Sequence, residues 1–159
     1  MGKVSAMIQT GVQSCTIRVP ASEVFKTVYD YAMRLKWDTM LSSAAIISGQ
    51  FSAGTGVVTR CLGKGWMKLF PIEAVYLTYK PDRVAAVKMV NRSLLFGSFS
   101  ASIRHETQNV GSTVCYKYAF RLRWYARFLT PIAHSVLSRE VAQRLNGLKN
   151  YCEKTPATF

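Results

Sequence analysis

Between Pro131 and Lys154, Leu137, Val141, Leu145, Leu148 and Cys152 recur at intervals of three and four residues, while Arg139, Arg144 and Lys149 take the other side. That spacing predicts one long amphipathic helix. At 1.5 Å per residue it runs for roughly 35 Å, and its apolar stripe needs a partner of similar extent. The residues just upstream supply one. From Thr113 to Trp124, Val114, Tyr116, Tyr118, Phe120, Leu122 and Trp124 alternate with Thr113, Cys115, Lys117, Ala119, Arg121 and Arg123. Alternation of this kind predicts a strand with one apolar and one solvated face. Phe96 to Thr107 repeats it, with Phe99, Ala101 and Ile103 opposed to Ser98, Ser100, Ser102 and Arg104.

The rest of the chain continues in strands and short turns. Gly11 to Val19 reads as a strand ending at Pro20. Val24, Phe25 and Val28, followed by Tyr31, Ala32 and Leu35, have helical spacing, and Glu23 suits the positive end of the helix dipole. A second short helix is expected near Leu35 to Leu41, around Trp37. Strands follow at Ala44–Gly49, Val57–Leu62, Met67–Tyr79 and Val84–Asn91, punctuated by Gly54-Thr-Gly56, Gly63-Lys-Gly65 and Lys80-Pro-Asp-Arg83. Connections this short predict an antiparallel meander. The fold expected is α+β: a curved antiparallel sheet of about seven strands, two short helices after the first strand, and a long C-terminal helix in its concavity. With 159 residues, one domain over 1–159 accommodates a full core.

Ile17-Arg-Val-Pro-Ala-Ser-Glu-Val-Phe25, followed by Asp30 and Trp37, resembles the opening of the START/birch-pollen-allergen/polyketide-cyclase (SRPBCC) superfamily. The Gly54-Thr-Gly56 turn, the Lys80-Pro81 turn and the terminal Leu145-Asn-Gly-Leu-Lys-Asn-Tyr151 are similar to it as well. The resemblance spans the element order of the whole chain, through short, degenerate motifs. It implies the helix-grip fold, with a space kept between sheet and last helix. Members include lipid carriers, hormone receptors, aromatase/cyclases and coenzyme Q-binding proteins, so fold alone does not choose the function.

Composition removes other classes. Hydrophobic residues make up 49% of the chain, which excludes general disorder. No apolar run approaches the roughly 20 residues of a membrane span. Met1 to Ala6 lacks a leader's apolar core, and Ala6 breaks the myristoylation pattern, so a cytoplasmic protein is expected. Cys15, Cys61, Cys115 and Cys152 are dispersed, and His105 and His134 have no ligand spacing. Neither a metal nor a cofactor is expected. The formal net charge of +13 points to anionic surfaces as partners or simply supports solubility.

The aromatic stripe offers a ligand lining: Tyr116, Tyr118, Phe120 and Trp124, joined by Phe99, Ile103, Met89, Trp66, Val136 and Leu137. The alternative is that the same rings pack as solid core. Gly63-Lys-Gly-Trp-Met-Lys68 is not a phosphate loop, because a strand is expected after it. It reads either as a hairpin at a pocket mouth with an exposed Trp66 or as an ordinary turn. Arg60 and Glu73 would pair if they point inward and orient a polar substrate; otherwise both face water. With Tyr116 and Tyr118 they are the candidates for catalysis; His134 and Glu140 are the other acid/base possibilities, but six residues apart on different helical faces they are not expected to act together. The expected function is binding of a hydrophobic or aromatic small molecule (a lipid, a polyketide or similar) as carrier or sensor. The alternative is a polyketide cyclase/aromatase- or dehydratase-like enzyme using the same cavity. Third is a nucleic-acid module through Lys117, Arg121, Arg123 and Arg104. Nucleic acid ranks last because the aromatics that would stack on bases lie on the opposite face. Weak contact with an anionic membrane through Lys64, Lys68 and the basic residues near the last helix, with Trp66 inserting at the interface, is also expected. Oligomeric state is left open.

Overall fold

The structure is a computed structural model that describes residues 7–154; the Met1–Ala6 segment read above lies outside the described residues. In chain order the elements are β1 (Gln9–Ile17), α1 (Ala21–Tyr29), α2 (Arg34–Trp37), β2 (Leu41–Ile46), β3 (Val58–Gly63), β4 (Ile72–Lys80), β5 (Val84–Met89), β6 (Phe96–Thr107), β7 (Ser112–Leu122) and α3 (Thr130–Lys154), with one-turn 3-10 helices at Gly65–Leu69 and Trp124–Leu129. The strands form one seven-stranded sheet in the order β1-β7-β6-β5-β4-β3-β2. Every pairing is antiparallel. This is the helix-grip arrangement expected from the element order.

α3 buries Leu137, Val141, Leu145, Leu148 and Cys152, the stripe that its spacing predicts. Each fully buried aliphatic side chain of this kind contributes roughly 1.5–3 kcal/mol. The helix packs chiefly on β1 and touches β7, α1 and α2. Two glycines make close approaches possible. A Cβ on Gly147 would stand 2.6 Å from the Trp37 carbonyl oxygen, so only glycine lets α3 press against α2. A Cβ on Gly11 would stand 2.2 Å from the Tyr118 ring, its cross-strand neighbour. The ring therefore lies over the bare backbone of β1. Val24, Phe25, Val28 and Tyr29 of α1 close one end of the core.

Several boundaries differ from expectation. The strand expected from Met67 begins only at Ile72, because Gly65–Leu69 coils into a 3-10 turn first. A single such turn is too short to make a helix-terminus phosphate site. β2 starts at Leu41, which was expected to close the second helix, and α2 itself is four residues long. β7 ends at Leu122: the Arg123 amide bonds to the Leu95 carbonyl, and the chain turns off the sheet. Trp124 consequently leaves the apolar face and is 76% exposed.

Candidate functional site

The concave side of the sheet is filled in one part and hollow in another. Beside β1, Tyr118 and Phe120 of β7 stack with centroids 6.4 Å apart and are buried. Under β3 to β6 lies a partly open cavity of about 130 Å³. Its apolar wall comes from Ile72 and Ala74 of β4, Ala85 and Val87 of β5, Phe96, Phe99, Ala101 and Ile103 of β6, and Leu137 of α3. Met67 and Phe70, from the loop after β3, complete it. An apolar hollow of comparable size takes one benzene ring.

The opposite wall is polar. It is formed by Tyr29, Tyr31 and Arg34 from the first two helices, Thr59 and Cys61 of β3, Tyr76 of β4, Tyr116 of β7, and Glu140 and Arg144 of α3. Its organising group is Asp38, fully buried at the end of α2. One carboxylate oxygen of Asp38 lies 3.1 Å from Arg34 Nε, and the other lies 3.5 Å from Arg144 Nε. The Met40 amide donates to the second oxygen at 3.2 Å. The Arg34 guanidinium also donates to the Val28 carbonyl and lies 4.7 Å from the Trp37 ring centre. Buried charges persist only with such compensation.

Two donors at this wall lack a protein acceptor. Arg144 Nε approaches Asp38 without hydrogen-bond geometry, and the buried Tyr29 hydroxyl has no partner. The Tyr31 and Tyr76 hydroxyls share a hydrogen bond of 2.7 Å. Burial raises the pKa of Tyr29, Tyr31 and Tyr76, which keeps all three hydroxyls protonated. Burial also raises Glu140 above the ordinary carboxyl range, against the opposing pull of Arg144. The Cys61 thiol is raised by burial too, so it is not an activated nucleophile. The wall thus carries hydrogen-bond donors for an acceptor or anionic group, and it holds one carboxyl whose pKa burial raises.

Of the residues expected to line a ligand site, Tyr116, Phe99, Ile103 and Leu137 surround the cavity. Tyr118 and Phe120 do not; they are solid core beneath α3. Met89 packs at the edge of that core and Val136 is half-buried, both outside the cavity wall. Trp66 and Trp124 are exposed. Arg60 and Glu73 do pair, 3.8 Å apart across β3 and β4, but on the outer face of the sheet, with Arg60 exposed and Glu73 half-buried. Thr59 and Cys61, on either side of Arg60, face the cavity instead. Of the two orientations left open for this pair, the outward one is observed, and neither residue lines the cavity. Sequence reading missed Arg34, Asp38, Arg144 and the cavity-facing role of Glu140. The available signal was a pair of i,i+4 oppositely charged residues, Arg34/Asp38 and Glu140/Arg144, each on a helix next to buried aromatic or aliphatic positions.

Among the described residues no cluster of His, Cys, Asp and Glu could hold a metal ion. No described helix is long and apolar enough to cross a membrane.

Solved structures with the same fold are similar over nearly the whole chain. The Zhui aromatase/cyclase from Streptomyces sp. R1128 matches with a TM-score of 0.79 at 16% identity, covering 93% of this chain and 95% of that one. Ara h 8.0201 matches at 0.74 and 16% identity, over 94% of this chain and 100% of that one. Norcoclaurine synthase from Thalictrum flavum, solved with dopamine and hydroxybenzaldehyde, matches at 0.71 and 10% identity, over 98% and 92%. At these identities the likeness establishes the fold alone. No curated protein sequence matches. The family model described as polyketide cyclase / dehydrase and lipid transport matches residues 9–153. Spanning almost the full sheet and helix, that match places the chain in the polyketide cyclase/dehydrase and lipid transport family.

Proposed function

We propose that the protein binds one small aromatic or apolar molecule bearing an acceptor or anionic group, as a carrier or sensor. The observation that carries this reading is the two-sided cavity: apolar on the β4–β6 side, with Arg144 and Tyr29, each carrying a buried donor without a hydrogen-bond partner, in its polar wall. Leaving such donors unsatisfied costs about 1–3 kcal/mol each, which an acceptor on the ligand recovers. The hollow encloses about one ring and is partly open, so a second ring of the ligand lies at its mouth. The solved structures named above include an aromatase/cyclase and a synthase of the same fold, and the fold is compatible with either role.

A second reading is supported by Glu140. A carboxyl with a raised pKa, one helical turn from Arg144 and across from tyrosine hydroxyls, suits a cyclase- or dehydratase-like reaction. There the carboxylate would remove a proton next to a carbonyl, and the arginine and tyrosines would steady the enolate oxygen.

Native mass spectrometry of the purified protein tests the first reading, together with calorimetric titration of 2-naphthoate and its neutral analogue 2-naphthalenemethanol. A retained small molecule, or naphthoate bound at least ten-fold tighter than the alcohol with the preference lost in Arg144→Leu, supports it. Equal, weak binding of both compounds by wild type and Arg144→Leu contradicts it. Turnover of an aromatic polyketide mimic that disappears in Glu140→Gln promotes the second reading.

A further inference from the structure

Beside the short α2–β2 link (38–40), whose Asp38 is buried, the antiparallel order brings three connections to one end of the sheet: β3–β4 (64–71), β5–β6 (90–95) and β7–α3 (123–129). These segments and the first turn of α3 expose an unusual set of large apolar side chains: Trp66, Leu69, Leu94, Trp124, Phe128 and Ile132. Phe128 and Trp124 are 78% and 76% exposed, so they stand off the surface rather than line a groove. Lys64, Lys68, Arg92 and Arg127 are exposed in the same connections. None of them forms an ion pair among the described residues. The three connections contain no Asp or Glu. The opposite end also exposes Phe51 and Val110 but differs in charge and in lacking tryptophan: its β2–β3 connection (47–57) has no charged residue, and its β4–β5 turn carries Asp82 beside Arg83.

From this asymmetry we infer that the end of the sheet bearing the 64–71, 90–95 and 123–129 connections docks on an anionic lipid bilayer. Tryptophans settle at the headgroup level of a membrane, where their rings are apolar and their N–H groups stay wet. Neighbouring cations add attraction to anionic lipids, at about five-fold in affinity per Lys or Arg near the surface. A flat protein partner would favour a depression or contiguous patch, whereas separate protruding side chains from three loops match insertion between headgroups. Met67 and Phe70 of the 64–71 connection also line the cavity, so docking sets one wall of the cavity against the membrane surface. Docking itself does not depend on what the cavity holds.

Vesicle co-sedimentation tests it, with phosphatidylcholine alone and with about one third phosphatidylserine. Expected is binding to the anionic vesicles only, weakening as salt shortens the Debye length. Arg92→Gln with Arg127→Gln is expected to weaken it about twenty-five-fold, and Trp124→Ala with Phe128→Ala to weaken it at unchanged charge. Arg104→Gln with Lys117→Gln, on the outer face of the sheet, serves as the charge-matched control and is expected to leave most binding intact. These are exposed positions, and melting temperatures confirm that each variant is folded. Naphthoate titration of the same variants separates loss of docking from loss of the cavity. Absence of vesicle binding overturns the inference. So does equal weakening by the outer-face control, which assigns binding to diffuse charge. Retention on immobilised polyglutamate without vesicle binding also overturns it, by assigning the end to an acidic polypeptide.

Discussion

The two halves of the concave face are built from the same kind of strand and end differently. Where α3 lies over β1 and β7, Tyr118 and Phe120 are packed solid, with the Tyr118 ring seated on Gly11. Under β3 to β6, farther from the helix, comparable residues such as Phe99 and Ile103 border a hollow. Alternation decides which face a side chain takes, but the distance to the covering helix decides whether that face is filled. The halves also treat buried polarity differently. The hollow half pairs Arg34 with Asp38 and leaves Arg144 Nε and the Tyr29 hydroxyl without a hydrogen-bond partner. At the closed end, His105 of β6 is buried against the Phe25 and Tyr29 rings with neither ring nitrogen bonded.

Removing the hub of the hollow half is expected to have the largest effect. Asp38→Ala leaves two guanidiniums in the interior without their carboxylate and should cost about 3–5 kcal/mol in urea unfolding. A cost below about 0.5 kcal/mol, the range of surface substitutions, would mean the cluster is solvated. Truncation across the two halves comes next. Phe120→Ala should cost about 3–5 kcal/mol, whereas Phe99→Ala, already facing a void on one side, should cost roughly half as much. Equal costs would erase the distinction between solid and hollow.

The solid half was the more legible of the two in the sequence. The α3 stripe and the β7 alternation each rest on five or six regularly spaced residues, and local periodicity reports them directly. The charged wall of the cavity joins Arg34 and Asp38 to Glu140 and Arg144 across about a hundred residues, and no local pattern encodes that meeting. Read alone, each i,i+4 pair looks like an ordinary solvated helix pair. Arg60 and Glu73 were ambiguous for a different reason: a one-residue slip in a strand reverses its faces, and β3 is too short to fix its own parity. Trp124 continued the alternation on paper, but the strand had already ended at Leu122.

A smaller effect concerns acid. Burial pushes the His105 pKa down to about 4 from 6.5, only partly offset by Asp82. Between those values the unfolded chain binds a proton that the folded chain refuses. Stability should therefore begin to fall as pH drops below about 6.5, with a loss of about 3 kcal/mol complete below about 4. His105→Phe, which keeps a ring between Phe25 and Tyr29, should remove this component and leave stability near pH 7 little changed. An unaltered acid limb in His105→Phe would place the titrating group elsewhere.

The most direct test of the hollow as the ligand site is titration of 2-naphthoate into two single variants, each verified as folded by its melting temperature. Ala74→Phe fills the cavity from β4, and Tyr118→Phe alters only the solid half. The account predicts saturable one-to-one binding by wild type and Tyr118→Phe, and at least ten-fold weaker binding by Ala74→Phe. Undiminished binding by Ala74→Phe, together with weakened binding by Tyr118→Phe, would contradict it and return the site to the aromatic stripe beneath α3.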